Sequence, residues 1–507
     1  MSDATTPRAG TQKATGTKTA WVGLVVLLLA GAMAIIDPTA TNVALPSLGS
    51  AEGFAASQAT LSWAVSGYTV AFAIALVPAG RLGDRHGHRR LFVIGTSLYV
   101  LTGVAVVLAV SQAMLSISRV LHGAAGGMMI AAVFGLIQLM FTGPGRVRAI
   151  AAYTAMTGVA SLVGPLAGGW LVDAAGLGTG WRWALALALP FGATALAFAG
   201  KLTSGQAPEK SGRFDILGML LLAGAIGGCI IPLIQATGEG VPSWSWDCWS
   251  VAVVLTLAFV LWERRLGRRG LSPVLPMNLF RRAPFSLGTV SIFFAFASFG
   301  LGIYVALAIL WQSGRGESAL SAALVALPFS VGSILGAVIS DRTAAWIGHW
   351  VVPGSLAALG AGLAVTWWIL AAAPQAGSLV LAVPLFVGGL GSGAFVGPSF
   401  AAALSGVPGR DAGAAGGMVM TGQWIGTAFG GALVLVVCSR PGPGGGFGPE
   451  AAVSNGTAAV LVCATLVAAA LICGAIVSFR SGDVLNRVVR GADVTPGDAT
   501  PTTPAVP

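Results

Sequence analysis

In a chain of 507 residues that is 55% hydrophobic and only 9% charged, chemistry is sought first at ionisable side chains inside apolar runs. A charge at bilayer depth costs about 2.5 to 3.5 kcal/mol on insertion scales, so such a residue is retained for a reason. Three stand clear of the polar breaks: Asp37 in the first apolar run, and Arg119 and His122 in the fourth. Desolvation draws a deep carboxyl toward its protonated form, and a neighbouring guanidinium draws it toward the ionised one. Balanced between the two and wetted from each side in turn, Asp37 can load and release a proton. A static Asp37–Arg119 pair that locks two helices is the alternative reading of the same residues. His122 follows Arg119 by three positions and shares its helix face. It can relay protons, meet a substrate, or be a hydrogen-bonded core histidine.

Other chemistries lack their parts. A phosphate-binding loop needs Gly-Lys followed by Ser or Thr, and the one lysine after a glycine, Lys201, is followed by Leu202. No metal-ligand cluster or Ser/His/Asp spacing stands at a membrane-facing loop, so no metal and no cofactor is expected, and an integral membrane enzyme is a distant alternative. Five cysteines do not form a disulfide framework. Cys229, Cys463 and Cys473 read as small buried hydrophobes, whereas a bridge between Cys248 and Cys438, near outer helix ends, stays open.

The elements that must position these residues follow from the bilayer. Apolar stretches of about 17 to 25 residues recur from Ala20 to Val477 without barrel-like alternation, so they read as helices that satisfy their own backbone. The pattern predicts an all-α membrane protein of about fourteen spans, from 20–37 and 58–79 through 149–172 and 182–200 to 456–479. The shortest, 249–262, carries Trp249 and Trp262 at its ends, which suits an interfacial belt. An even number of spans puts both termini on one side. With the tails and the even-to-odd loops in the cytoplasm, only Arg182, Arg315 and Arg440 lie outside and Arg119 is buried, out of 27 Lys and Arg. The net charge of +10 is thereby a topology signal, and no structured basic domain remains for nucleic acid.

The chain also echoes itself. Pro144-Gly145-Arg146 precedes Met156-Thr157-Gly158 by the interval that separates Pro408-Gly409-Arg410 from Met420-Thr421-Gly422, and Asp84-Arg85 after the second span recurs as Asp341-Arg342 after the tenth. The organisation expected is a cytoplasmic tail at 1–19, a six-helix half at 20–200, loops with two inserted helices at 201–284, a second six-helix half at 285–479 and a largely disordered tail at 480–507. Parallel halves related by an axis along the membrane normal place a substrate site between them near the midplane and rock around it.

Gly80 to Arg90, GRLGDRHGHRR, closely resembles the signature between helices two and three of the major facilitator superfamily. Gly80 and Gly87 permit a tight turn, and Asp84 lies among Arg81, Arg85, Arg89 and Arg90, a charge network able to hold one conformation closed. Further stretches resemble the fourteen-helix drug:proton antiporter branch: Asp37 to Pro46; Arg119 with His122-Gly123; Gly158 with Gly164-Pro165-Leu166-Ala167-Gly168-Gly169; and Trp181-Arg182-Trp183 with Pro190 beyond. The sequence departs from that pattern at His122, where Gln is usual, at His88, where Arg is usual, and at Ala188, where Asn is common. The resemblance implies a bacterial plasma-membrane exporter of small amphipathic compounds. It would act as a monomer, exchange substrate for protons by alternating access and need no ATPase subunit. The Gly164–Gly169 element would seal the resting cavity against proton leak. Proton-coupled or passive uptake of a small metabolite is the alternative function. Spans 285–479 hold no Asp or Glu at depth, which favours neutral, zwitterionic or monocationic substrates over dications, whose second charge would be left unbalanced.

Overall fold

The computed structural model describes residues 18–141, 143–202, 215–236, 242–269, 275, 277–405, 407, 412–440 and 448–489, and regular structure among them is helical throughout. The predicted tails before 18 and after 489, and the second Pro-Gly-Arg echo at 408–410, lie outside the described residues.

The first half contains α1 (Lys18–Gly49), α2 (Gln58–Ser62), α3 (Tyr68–His86), α4 (His88–Val107), α5 (Gln112–Met140), α6 (Gly143–Ala186) and α7 (Leu189–Ala197). A π-helical turn, Trp63–Gly67, joins α2 and α3 into one rod. Next come α8 (Ile216–Gln235) and α9 (Trp244–Arg268). The second half contains α10 (Ala283–Phe296), α11 (Ile303–Ile309), α12 (Ala319–Ile347), α13 (Val351–Ala372), α14 (Ser378–Ala403), α15 (Ala412–Cys438) and α16 (Pro449–Val489). A π turn at Ala297–Gly302 joins α10 to α11, and another at Leu310–Gly314 ends that rod.

Thirteen described helical segments are long and apolar enough to cross a membrane. The longest, Arg148–Ala197, covers the predicted span 149–172 and all but the last three residues of the predicted span 182–200. Within it Gly176 adopts φ 75° and ψ 170°, a break that glycine makes without Cβ strain. The other boundaries shift for physical reasons. The first span does not end at 37: α1 continues through Pro38 and Pro46 to Gly49, because packing along α6 holds turns that each lose one hydrogen bond to proline. Asp37 therefore sits mid-helix. The short predicted span 249–262 is a 25-residue helix, about 37 Å long at 1.5 Å per residue and sufficient to cross. In the expected tail, α16 runs past 479 to Val489.

Packing repeats between the halves. The first part of α6 lies on α1 and on α12, while α15 lies on the α10 rod and on α3. Exchanging α1 with the α10 rod, α3 with α12 and the first part of α6 with α15 maps one arrangement onto the other. Each half has its own apolar core, and Trp424 of α15 joins that of the first half, with its ring 4.0 Å from Phe72. Helices α8 and α9 pack on each other and, through α8, on α3 and α15. Val251, Val253, Val254, Leu257 and Leu261 of α9 are each more than half exposed, the surface lipid tails would cover.

Candidate functional site

The deep charges meet. Arg119 Nη1 on α5 donates to both carboxylate oxygens of Asp37 on α1, at 3.0 and 2.8 Å, and neither side chain is more than 3% exposed. Arg119 Nε donates to the Ala64 carbonyl at 2.7 Å. That acceptor lies in the π turn Trp63–Gly67, where the Tyr68 N–H bonds Val65 and leaves Ala64 outside the α-type ladder. The guanidinium lies 4.6 Å from the Tyr68 ring centroid, and its Nη2 has no hydrogen-bond partner. His122 completes the group, with Nε2 3.5 Å from Asp37 Oδ1. Its ring stacks on Tyr99 of α4 at 3.8 Å, and its Nδ1 lies 3.0 Å from Thr102 Oγ1. The Tyr68 and Tyr99 hydroxyls bond each other at 2.9 Å.

Local sequence explains the closeness of these helices. A Cβ on Gly123 would collide with the Tyr68 carbonyl, and one on Gly127 with that of Phe72, so glycine lets α5 seat against α3. Taking two charges out of water costs several kcal/mol per ion, which mutual attraction offsets only when the remaining lone pairs and protons are bonded. Here Asp37 takes two charge-assisted bonds and Arg119 gives three, leaving Nη2 and the space between His122 and Asp37 as the places where the group is incomplete. Nearby along α1, both amide atoms of buried Asn42 lack a hydrogen-bond partner. Such a cluster can exchange a proton and can offer polar atoms to a ligand.

Tyr68, Tyr99 and Thr102 were not singled out from sequence. The one available signal was scarcity, since the chain has only 4 tyrosines and two of them meet here.

The Gly80–Arg90 motif is placed differently from its simplest reading. Gly80 lies inside α3, which also carries Arg81, Asp84 and Arg85, so the turn is made by Gly87 alone, at φ 93°. Asp84 Oδ1 accepts from His88 Nε2 at 3.1 Å, and Asp84 is 56% exposed. The His88 ring fills the space that Cβ atoms on Gly83 or Gly135 would need, with Nδ1 buried and unpartnered. Arg89 reaches the Gly200 carbonyl at 3.4 Å, and Arg90 is exposed. The departure at His88 thus puts an imidazole directly on the motif's carboxylate. Asp341 and Arg342 lie within α12, and the Asp341 side chain is outside the described residues.

The glycines of α6 face two directions. Gly164 abuts Thr39 and the Ile36 carbonyl and Gly168 abuts Ala40, all on α1. Gly158 faces Ile334, and Gly169 lies against Ala319 and Leu320, all on α12. With Pro165 between them, this stretch is a wedge touching both halves. One turn on, the Asp173 carboxylate accepts the Ala319 and Leu320 N–H groups at 3.2 and 3.1 Å, capping the start of α12 from across the halves. Arg182 donates to the Val107 and Ala109 carbonyls at the end of α4 and lies over Trp181, while Pro190 starts α7 beside buried Ala188. All five cysteines are free, including Cys248 and Cys438. No group of three or more His, Cys, Asp or Glu able to hold a metal occurs among the described residues.

The profile of the Major Facilitator Superfamily matches residues 27–431. The chain is 34% identical over 421 residues to a probable actinorhodin transporter of Streptomyces coelicolor, covering 82% of this chain and 72% of that protein. It is 30% identical to a tetracenomycin C resistance and export protein of Streptomyces glaucescens, with 83% and 77% covered. A multidrug resistance protein, Stp, of Mycobacterium tuberculosis is 29% identical, with 79% and 73% covered. Among solved structures, a bacterial homologue of the human drug peptide transporters PepT1 and PepT2 superposes with a TM-score of 0.60 at 14% identity, covering 94% of this chain and 100% of that one. The inward-open xylose transporter XylE of E. coli gives 0.54 at 15% identity, with 88% and 95% covered. At such identities the likeness is one of fold.

Proposed function

The chain belongs to the major facilitator superfamily, and from that premise we propose that it exports a small amphipathic antibiotic or secondary metabolite in exchange for protons. It is a multi-pass plasma-membrane transporter of bacterial type, and its relatives are transporters named for antibiotic and drug export. The observation that carries the proton-coupled reading is the buried Asp37–Arg119–His122 group, in which one carboxylate is contacted by a fixed cation and by a base that can gain or lose charge. Its position between α1 and α5, whose neighbours include the wedge α6, suits a site that faces each side in turn.

The same reading counts fourteen crossings by treating Gly176 as a turn between two spans. It places both termini in the cytoplasm, takes 20–200 and 285–479 as the rocking halves with 201–284 as an insertion, and assigns transport to a monomer. In it, Gly80, Asp84, Arg85, Gly87, Arg89 and Arg90 act at the cytoplasmic gate, with Asp341 and Arg342 as its echo, and Gly158, Gly164, Pro165, Gly168 and Gly169 act at the seal.

The test is drug susceptibility. Expressed in an efflux-deficient host, the protein should raise resistance to one or more members of a panel that includes actinorhodin and tetracenomycin C, and a protonophore should remove the gain. A gain that persists under the protonophore would rule out proton antiport, and sensitisation in place of resistance would indicate uptake.

A further inference from the structure

The contact between His122 and Asp37 poses a question of hydrogen count. Thr102 has one hydroxyl hydrogen, and its Oγ1 lies 2.6 Å from the Leu98 carbonyl and 3.2 Å from that of Tyr99. A carbonyl can only accept, so the Thr102 hydrogen is committed to the backbone of its own helix. The 3.0 Å contact with His122 Nδ1 is then one in which Thr102 accepts and Nδ1 carries the hydrogen. In the neutral ring this leaves Nε2 as the basic atom, and Nε2 points at Asp37 Oδ1 from 3.5 Å. A lone pair facing a carboxylate is repulsive. One added proton removes the conflict, whether it makes an imidazolium beside a carboxylate or a carboxylic acid donating to Nε2.

We propose that Thr102 is a positioning residue that fixes the His122 tautomer, so that the pair of Nε2 and Asp37 Oδ1 is complete only when it holds the translocated proton. With the opposite tautomer, neutral His122 would donate its own Nε2–H to Asp37, and the pair would be satisfied with no proton bound. Arg119 supplies the charge that keeps Asp37 in place in both states. The charged or titratable groups facing His122 are Asp37 from α1, Tyr68 from α3, Tyr99 from α4 and Arg119 from its own helix. Of these, Asp37 presents the acceptor to Nε2, and the Tyr99 backbone carbonyl is a further acceptor beside the ring. The inference rests on the proton-antiport reading and adds to it a reason why His122 departs from the usual Gln: an amide in this position donates and accepts without taking up a proton.

Histidine nitrogen chemical shifts read the tautomer directly. The protein is labelled with 15N-histidine in lipid, with His122 identified among the 4 histidines by the signal that His122→Gln removes. The neutral ring should carry its hydrogen on Nδ1 in the unmodified protein and in Thr102→Ser. Thr102→Val keeps the shape and removes the acceptor. It should show both tautomers and bind its proton about three- to tenfold more weakly, the worth of one neutral hydrogen bond; Thr102→Ala serves if the valine variant does not fold. An Nε2–H ring in the unmodified protein, or a valine variant with an unaltered tautomer and titration, overturns the proposal. Separately, proton-driven efflux of ethidium from liposomes by Asp37→Asn protein would overturn the antiport reading itself, whatever the tautomer.

Discussion

At the scale of residues, two readings of the Asp37–Arg119 contact give different outcomes. If Asp37 exchanges a proton with the two sides, Asp37→Asn abolishes uphill transport while downhill counterflow of an uncharged substrate persists, because the amide keeps shape and some hydrogen bonding. If the pair only locks α1 to α5, the same change leaves Arg119 uncompensated, costs about 3 to 5 kcal/mol and lowers folded abundance, and adding Arg119→Gln partly restores it. Transport and abundance measured side by side decide between them. The gate carboxylate has its own test: Asp84→Asn should reduce transport sharply at near-normal abundance, through loss of the charge that strengthens the His88 contact at 3.1 Å as much as through the arginines. Asp37, Arg119 and His122 were legible in the sequence because a charge inside an apolar run is costly enough to need an explanation. Tyr68, Tyr99 and Thr102 were not, since neutral hydroxyls are tolerated at many helix positions and only the fold shows which of them meet.

At the scale of elements, α6 holds the halves together at one end of the molecule. Its glycines seat against α1 on one side and α12 on the other, and Asp173 binds the first N–H groups of α12. In the proposed topology this end faces the outside. Asp173→Ala removes both acceptors, so a single cysteine at position 320 in a cysteine-free background should react severalfold faster with an impermeant maleimide. Asp173→Asn, which retains one acceptor, should fall between, and equal rates in all three proteins would show that the cap does not hold the outer end closed. Gly164→Val would drive a methyl group into Thr39 and cost about 1 to 3 kcal/mol as an overpacked core, seen as a lower melting temperature. The motif residues of α6 were readable from type and spacing, but Asp173 was not: an acidic residue near a helix end reads as a solvated terminus until its partner from the other half is in view.

At the scale of the whole molecule, the sequence echoes placed spans two, four and five against ten, twelve and thirteen, and the packing of α6 on α1 and α12 matches that of α15 on α10 and α3. Hydropathy revealed the helices because lipid forces each crossing to be a long apolar helix, and the echoes suggested how they pair. Hydropathy misjudged ends, as at Pro38, where packing along α6 outweighs a local breaker. Orientation is tested by a cysteine at position 269, just past α9 in an arginine-rich stretch: it should be shielded from an impermeant reagent in intact cells and react once they are opened. Labelling in intact cells would invert or break the proposed topology.

The π turn at Trp63–Gly67 has a mechanical meaning. Closing i→i+5 instead of i→i+4 holds one extra residue in the turn. Arg119 keeps that slack in place by occupying the Ala64 carbonyl, which would otherwise close an α-turn with Tyr68. If a proton on the Asp37–His122 pair shifts the guanidinium so that Nε releases the Ala64 carbonyl while Nη1 stays on Asp37, the turn is free to tighten, and one residue of winding turns the rest of the rod by about 100° at 3.6 residues per turn. A protonation event at one side chain would then be converted into torque on the helix that also carries the gate carboxylate, as a ratchet pawl converts a small lift into a full tooth of rotation.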